Sequence, residues 1–244
     1  MFREGFHKYD PKHDREKLCK ILSLPEKNPK SECWDQTNVV EAIKMLSVDK
    51  ATSDGLPPEI FKNCGPSLAF HLSLLFRACE AHGYLPPEIA EGTIVPVPKA
   101  NKDPSKTSSY RPITLGCVSA KIFEACILIQ YESELQSSCL QFGFKKNCST
   151  THCTLTVKGI VDHFTKRGSK VFAALLDATA AYDRANYHKI LLRLLNKGLP
   201  RSVVRLLLTW YQSTSIKTKF QKNISQNTFG INHSVLCSLY RWYY

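Results

Sequence analysis

Hydrophobic positions along the chain switch between helical and strand-like spacing, with polar loops between them. The first 36 residues carry Pro11, Pro25 and Pro29 and little periodicity. They predict a loosely ordered lead-in with one helical turn near residues 17–22. Val39, Val40, Ile43 and Leu46 then share one side of a short amphipathic helix. The stretch ATSDGLPP at 51–58 is turn chemistry, with Asp54-Gly55 followed by two prolines. Pro57 and Pro58 suit the opening of the next helix, because a first-turn N–H has no helical partner to lose. Gly65-Pro66 interrupts that helix. Leu68, Leu72, Leu75, Phe76 and Cys79 then recur at helical spacing as far as Gly83, a residue able to close a helix in the left-handed conformation.

Residues 93–97, TIVPV, predict a short strand. Prolines beside its apolar pairs argue for a sheet edge, since proline has no N–H to give to a ladder. A basic loop over 99–109 leads to YRPIT at 110–114. A helix over about 118–135 uses Ile122, Phe123, Cys126 and Ile127 as its apolar face. The loop QFGFKKNCST at 141–150 ends in a Ser/Thr cap for a helix to about 166, with Leu155, Ile160, Val161 and Phe164 as its core side. VFAALL at 171–176 is continuously apolar between Gly168 and Asp177, the pattern of a central strand covered on both faces. Residues 187–196 read as a helix with Tyr187, Ile190, Leu191, Leu194 and Leu195 on one face. Gly198 stops it. Pro200 starts another, with Val203, Val204, Leu207, Leu208 and Tyr211 inward. Residues 216–220 and 228–231 predict a hairpin linked around Asn223. Helices followed by a strand, more helices and a hairpin make the expected class α+β.

With 244 residues there is room for one or two domains, and 43% apolar residues exclude wholesale disorder. No apolar run approaches the length of a membrane-spanning helix. The N-terminal MFREGFHKYDPKHDREK lacks the apolar core of a secretory signal, so an intracellular protein of nucleus or cytoplasm is expected. Ten cysteines are scattered without a CxxC pair, and those in apolar patterns, such as Cys79 and Cys126, read as small buried hydrophobes. Cys148, His152 and Cys153 have no second ligand pair with which to complete a zinc site.

Charge changes the picture more. Thirty-three basic against 21 acidic residues leave a net +12. Lys99, Lys102, Lys106 and Arg111 fall in one segment with a single acid, Asp103. Lys145 and Lys146 follow in a loop, Lys166, Arg167 and Lys170 precede the apolar run, and Lys217, Lys219 and Lys222 punctuate the hairpin. This distribution suits a nucleic-acid backbone, and it equally suits an ordinary solvated surface.

Asp177 closes the apolar run, and a carboxylate at the end of a buried strand is well placed to offer a hard oxygen to Mg²⁺. Asp183 lies six residues on. Read alone, Asp177 marks a strand end as readily as a metal site, and Asp183 reads as a helix cap.

At these residues a family resemblance becomes visible. LLDATAAYDRANY at 175–187 resembles motif A of reverse transcriptases from non-LTR (LINE-type) retrotransposons. ATSDGLPPEIF resembles the family's segment ahead of the fingers, and IVPVPKANKDPSKTSSYRPITLGCVSAKIFE its fingers motif. QFGFKKNCSTTHC is similar to the next motif, and FGINHSVLCSL to an altered motif B. The resemblance covers residues 37–244 and implies the fingers and partial palm of an RNA-directed DNA polymerase, preceded by the lead-in at 1–36. It implies RNA template, DNA primer and dNTP as partners and Mg²⁺ as cofactor. It implies that Asp177 is a catalytic metal-binding carboxylate, with the carbonyl of Ala178 on a metal. By the same resemblance Lys99 and Arg111 hold the dNTP triphosphate, and Tyr182 is the aromatic gate beneath the incoming sugar. Gln141, Phe142 and Gly143 would shape the template side, and Phe144 would pack in the core.

The departures are specific. Where the family's motif B has Arg, Gln, Gly and Pro, this chain reads Gly230, Ile231, Asn232, His233, Ser234, Leu236, Cys237, Ser238. Ala180 stands where a lysine is common. No Asp-Asp pair of the kind found in motif C occurs. The expectation is a chain truncated within motif B and inactive as a polymerase. The alternatives are a non-catalytic nucleic-acid-binding fragment or a decayed mobile-element relic.

Overall fold

The computed structural model describes residues 11–25, 32–143, 145, 147–177, 185–220, 223–224 and 228–229. Nine helices and five strands lie within them: α1 (Pro11–Ser23), α2 (Gln36–Lys44), α3 (Pro58–Asn63), α4 (Gly65–His82), α5 (Pro87–Ala90), β1 (Glu91–Pro98), β2 (Tyr110–Gly116), α6 (Val118–Gln130), α7 (Thr150–Thr165), α8 (Tyr187–Asn196), α9 (Arg201–Ser213), β3 (Ser215–Phe220), β4 (Asn223–Ile224) and β5 (Thr228–Phe229). The arrangement is mixed α and β, as the sequence pattern implies.

The core is helical and centred on aromatic rings. A short 3₁₀ turn, Glu32–Trp34, delivers Trp34 into the space between α4 and α6. Trp34 stacks on Phe123 at 4.4 Å, and Phe76 meets both rings edge-on at 5.6 and 5.3 Å. Phe123 also meets Trp210 of α9 edge-on at 5.1 Å. Each such pair adds about 0.5–1.5 kcal/mol beyond the area it buries. Partly buried Glu80 accepts hydrogen bonds from Trp34 Nε1 (2.6 Å) and from Ser202 Oγ on α9 (2.5 Å), so one carboxylate satisfies donors from both ends of the chain.

Local chemistry sets the helix ends. Gly83 closes α4 at φ 59°, and the N–H of Tyr84 reaches back to the Cys79 carbonyl. Cys117 Sγ accepts from the Ala120 N–H at the start of α6, and Asp54 of the ATSDG turn accepts from the Val118 N–H. Asn186 does two jobs: its Oδ1 accepts from the Lys189 N–H to cap α8, and its Nδ2 donates to Asp14 of α1. The helical turn expected near 17–22 is the 13-residue α1, whose Leu18 and Leu22 are buried and which packs on α8.

β1 continues directly from α5, and β3 follows α9 after one residue. Because α5 packs on α9, the two strands start side by side and run parallel, Glu91 opposite Ser215 through Ile94 opposite Thr218. On its other side β1 pairs antiparallel with β2 over its whole length bar Glu91, Gly92 opposite Gly116 to Pro98 opposite Tyr110. β1 is therefore not the edge strand that its prolines suggest. Pro96 and Pro98 lie beyond the part of β1 that pairs with β3, so they cost that ladder nothing. Pro96 faces Pro112, and neither has an N–H to strand between the strands. The hairpin expected at the end of the chain is present: Ser215 pairs with Phe229 and Ile216 with Thr228.

The clearest departure is at 171–177. The expected central strand is irregular and solvent-exposed, with Phe172, Leu175 and Leu176 at 91, 94 and 98% exposure. α7 forms over its expected span, capped by Ser149, yet none of its residues is buried. Leu155, Ile160 and Phe164, expected inside, lie open to solvent. Both readings rest on apolar spacing. Spacing marks a surface that gains by burial, and among the described residues no strand pairs with this run.

Candidate functional site

Lys99 and Arg111 are the two candidate residues that the fold brings together. Arg111 pairs with Val97 in the β1–β2 ladder, and Lys99 lies just past its last pair, Pro98 with Tyr110. The main chain of Lys99 continues the ladder by donating to the Ser109 carbonyl at 2.8 Å. Both cations therefore rise from the same end of one hairpin. Lys99 Nζ donates to the Ser108 carbonyl at 2.7 Å, which folds the ammonium over the loop, and Arg111 is exposed.

The loop between them is tightly organised. Asp103 accepts from both the main-chain N–H and the hydroxyl of Ser105, at 3.0 and 2.7 Å, and lies 3.7 Å from Lys106 Nζ. The Ser105 hydroxyl, then its N–H, and in smaller part Lys106 hold the Asp103 carboxyl below the usual carboxylate range. Asn101 takes the left-handed conformation at φ 59°, which asparagine tolerates better than most residues. Tyr110 donates its hydroxyl to the Pro104 carbonyl at 3.0 Å, pinning the loop to the strand.

The hairpin and its loop also border a groove of about 560 Å³ lined by Pro96, Pro104, Ser105, Thr107, Tyr110, Pro112 and Phe220. Tyr110 meets Phe220 edge-on across 6.0 Å. The sequence reading used Tyr110 only as part of YRPIT and gave Phe220 no role. Its signal, aromatics and prolines interleaved with lysines, needs the β1–β3 register before it becomes a surface. Lys217 on β3 is already committed to an ion pair with Glu91.

Asp177 stands apart from this hairpin. It is exposed at the end of the irregular run, and no hydrogen bond or ion pair joins it to Lys99 or Arg111 among the described residues. Ala178, Tyr182, Asp183, Phe144 and the motif B segment at 230–238 lie outside the described residues. Among the described residues no three His, Cys, Asp or Glu side chains converge as a metal would require. Among the described residues Asp177 belongs to no such group, and neither do Cys148, His152 and Cys153. Gln141 Nε2 folds onto the Gly143 carbonyl at 3.1 Å, and Lys145 Nζ donates to the Ser138 carbonyl, so this loop is held by its own side chains. No helix among the described residues is long and apolar enough to cross a membrane.

No family model matches the chain. Over 147 residues, 59% of its length, it is 30% identical to the 115 kDa protein of the type-1 retrotransposable element R1DM of Drosophila melanogaster. Over 201 residues, 79% of its length, it is 26% identical to a protein named as an RNA-directed DNA polymerase from transposon X-element, also of Drosophila melanogaster. These matches take in 14% and 22% of the two relatives, so the chain spans only a small part of their length. The chain carries a region similar to proteins of non-LTR retrotransposons, one of them named as an RNA-directed DNA polymerase.

Proposed function

We propose that residues 37–244 are fingers and part of the palm of a reverse transcriptase, and that the β1–β2 hairpin is its nucleotide-phosphate clamp. One observation supports this above the others: the antiparallel register sets Arg111 opposite Val97 and ties Lys99 to Ser109, so a guanidinium and an ammonium project from one end of one hairpin. A planar fork and a point charge are complementary ways of holding a triphosphate. Lys99 gives up a single neutral carbonyl partner to take a phosphate oxygen, a favourable exchange for a cation.

In this reading Arg111 and Lys99 bind and orient the dNTP, and Tyr182 screens its sugar. Asp177 and the Ala178 carbonyl are the chain's metal ligands. Mg²⁺, when bound, would neutralise charge on the pyrophosphate leaving group. The carboxylate available from Asp177 does not by itself hold that ion, and no step is assigned through it. RNA template and DNA primer are the macromolecular partners.

The chain by itself is read as inactive in polymerisation. Purified protein is to be tested for Mg²⁺-dependent primer extension on an RNA template, beside Asp177→Ala. Robust extension that Asp177→Ala abolishes would overturn the inactive reading. Binding of a fluorescent dNTP that is lost in Lys99→Ala and Arg111→Ala would support the clamp, and binding untouched by both would remove it.

A second reading, a non-catalytic nucleic-acid-binding piece, draws on the groove of Tyr110 and Phe220 together with the basic segment at 99–111. Bases stack on exposed rings while cations follow the backbone.

A further inference from the structure

We propose that Lys189, Arg193 and Lys197 on α8 form a second nucleic-acid site, separate from the hairpin, that holds the phosphate backbone without regard to base sequence. The chain's charge is unevenly placed. All 21 acidic residues fall within 1–183, beside 23 of the 33 basic ones. Residues 184–244 hold the other ten cations and no acid, so ten of the twelve net positive charges lie there. Asymmetry of this kind points to a polyanionic partner for the basic part.

Five of those ten recur at every fourth position: Lys189, Arg193, Lys197, Arg201 and Arg205. The structure divides them. Arg201 donates to the carbonyls of Leu24 and Pro25, and Arg205 to that of Leu22, so these two close the end of α1. Lys189, Arg193 and Lys197 share one face of α8. At about 1.5 Å of rise per residue they stand about 6 Å apart, in a straight row about 12 Å long. A row at that spacing can meet successive phosphates of one strand. Lys189 and Arg193 are exposed. Lys197 Nζ donates to the Gln136 carbonyl at 2.9 Å, a neutral acceptor that a phosphate oxygen improves on.

The row is not what a helix needs for itself. Like charges four residues apart repel. Arg193 in the last turn and Lys197 at the C-cap do gain from the helix dipole. Lys189 does not. It lies three residues after the Asn186 cap, where the dipole favours an acid and a capping box places Glu or Gln. Each of α1–α7 carries at least one acid, whereas α8 and α9 carry none. Acids do adjoin the two ends of α8. Asp14 accepts from Asn186 Nδ2 at 2.8 Å, and Glu134, beside Gly198, accepts from the Ser133 hydroxyl at 2.6 Å. Among the described residues neither forms an ion pair with Lys189 or Lys197.

The surroundings select the class of polyanion. Ile190, Leu191, Leu192 and Leu194 are buried, and no large hydrophobic side chain of α8 or α9 is exposed. A bilayer surface therefore finds charge here but nothing apolar to take into its interior. Tyr187 stacks on Tyr211 at 5.5 Å, and Tyr211 and Trp210 are buried, so bases find no exposed ring on these helices. Contacts then end at the backbone, which fixes position and carries no sequence information. Lys99 and Arg111 lie on a different element, so this site stands or falls apart from the nucleotide clamp.

The test is fluorescence anisotropy of the 244-residue chain with a labelled mixed-sequence single-stranded RNA and, separately, a labelled duplex DNA, each across a salt series. Lys189→Gln and Arg193→Gln are each expected to make the log–log salt slope shallower, by about 0.7 on the single strand or about 0.9 on the duplex. The nucleic acid that shows the larger loss is the occupant. Combined, the two substitutions are expected to weaken binding about tenfold near about 0.15 M salt. Lys189→Glu separates binding from packing. It is expected to raise the melting temperature, because an acid suits that end of α8, and to weaken binding more than Lys189→Gln does. Repeating the series in a Lys99→Ala, Arg111→Ala background keeps the result distinct from the clamp, since the loss of slope is expected there too. Slopes that the α8 variants leave unchanged on both nucleic acids overturn the proposal, as does a chain that binds neither. So does Lys189-dependent binding to poly-glutamate or to phosphatidylserine vesicles as tight as that to nucleic acid, which would assign the row to an acidic protein or a membrane.

Discussion

Trp34 lies face to face with Phe123, their ring centroids 4.4 Å apart and their planes 22° from parallel, and neither ring touches solvent. The contact joins a three-residue turn near the start of the chain to the helix that follows the basic hairpin. Truncating either ring opens a cavity among Phe76, Phe123 and Trp210. Trp34→Ala or Phe123→Ala is expected to lower stability by about 3–5 kcal/mol. Urea unfolding followed by circular dichroism measures this, and a loss below about 1 kcal/mol would show that the cluster is not the core.

Glu80 takes hydrogen bonds from Trp34 Nε1 and Ser202 Oγ. Removing the acceptor strands two donors in a partly buried place. Glu80→Ala is expected to cost about 1–3 kcal/mol, with Glu80→Gln milder because one amide oxygen can still accept. Equal losses in the two variants would mean that the carboxylate packs but does not bond.

Acid is expected to loosen the α1–α8 contact through His188. Burial, then nearby Arg15, depress its pKa below the ordinary histidine value of 6.5, with Asp14 opposing. The folded chain therefore holds its proton less well than the unfolded chain. Stability is unaffected well above pH 6.5 and falls as pH drops through 6.5 toward the lower folded value. His188→Gln, which does not titrate, should flatten that fall. An unchanged acid slope in the variant would assign it to other groups.

Thiol accessibility divides the cysteines. Cys19, Cys64 and Cys139 are exposed, whereas Cys33, Cys79, Cys117 and Cys126 are buried. Burial pushes the Cys126 thiol up to about 12 and raises Cys79 and Cys117 too. Iodoacetamide at neutral pH should label the exposed set in the native chain and the buried set only after unfolding, read by peptide mass spectrometry. Rapid native labelling of Cys126 would contradict the α6 packing.

If the hairpin and its neighbours bind single-stranded RNA, affinity should fall with salt with a log–log slope of about −0.7 per phosphate neutralised. Lys99→Ala and Arg111→Ala should each make that slope shallower. Tyr110→Ala and Phe220→Ala should weaken binding with little change in slope, because stacking carries no counterions. A slope indifferent to Lys99 and Arg111 would move the binding surface elsewhere.

Much of the fold was legible in local chemistry. The span of α8 follows from its apolar stripe, and Gly83 and Gly198 mark ends that need no partner from afar; the Asn186 cap was not read from the sequence. What failed was any inference that depended on a partner. The prolines of β1 spoke for an edge, but α5 packing on α9 sets β3 alongside the half of the strand that has none. VFAALL carries the composition of a covered strand, and composition cannot say what covers it. The pairing of Lys99 with Arg111 was foreshadowed by their shared segment. The groove at Tyr110 and Phe220 was not, since it joins residues 110 positions apart.

The hydrogen bond from Asn186 to Asp14 spans 172 residues. A ribosome adding about 5–20 residues per second takes roughly 9–34 s to cover that distance. Through that interval Leu18 and Leu22 have been made but α8 has not, so the first helix spends its early life with its apolar stripe bare. The packing of Leu18 and Leu22 on α8 therefore has to wait until the last third of the chain has been made.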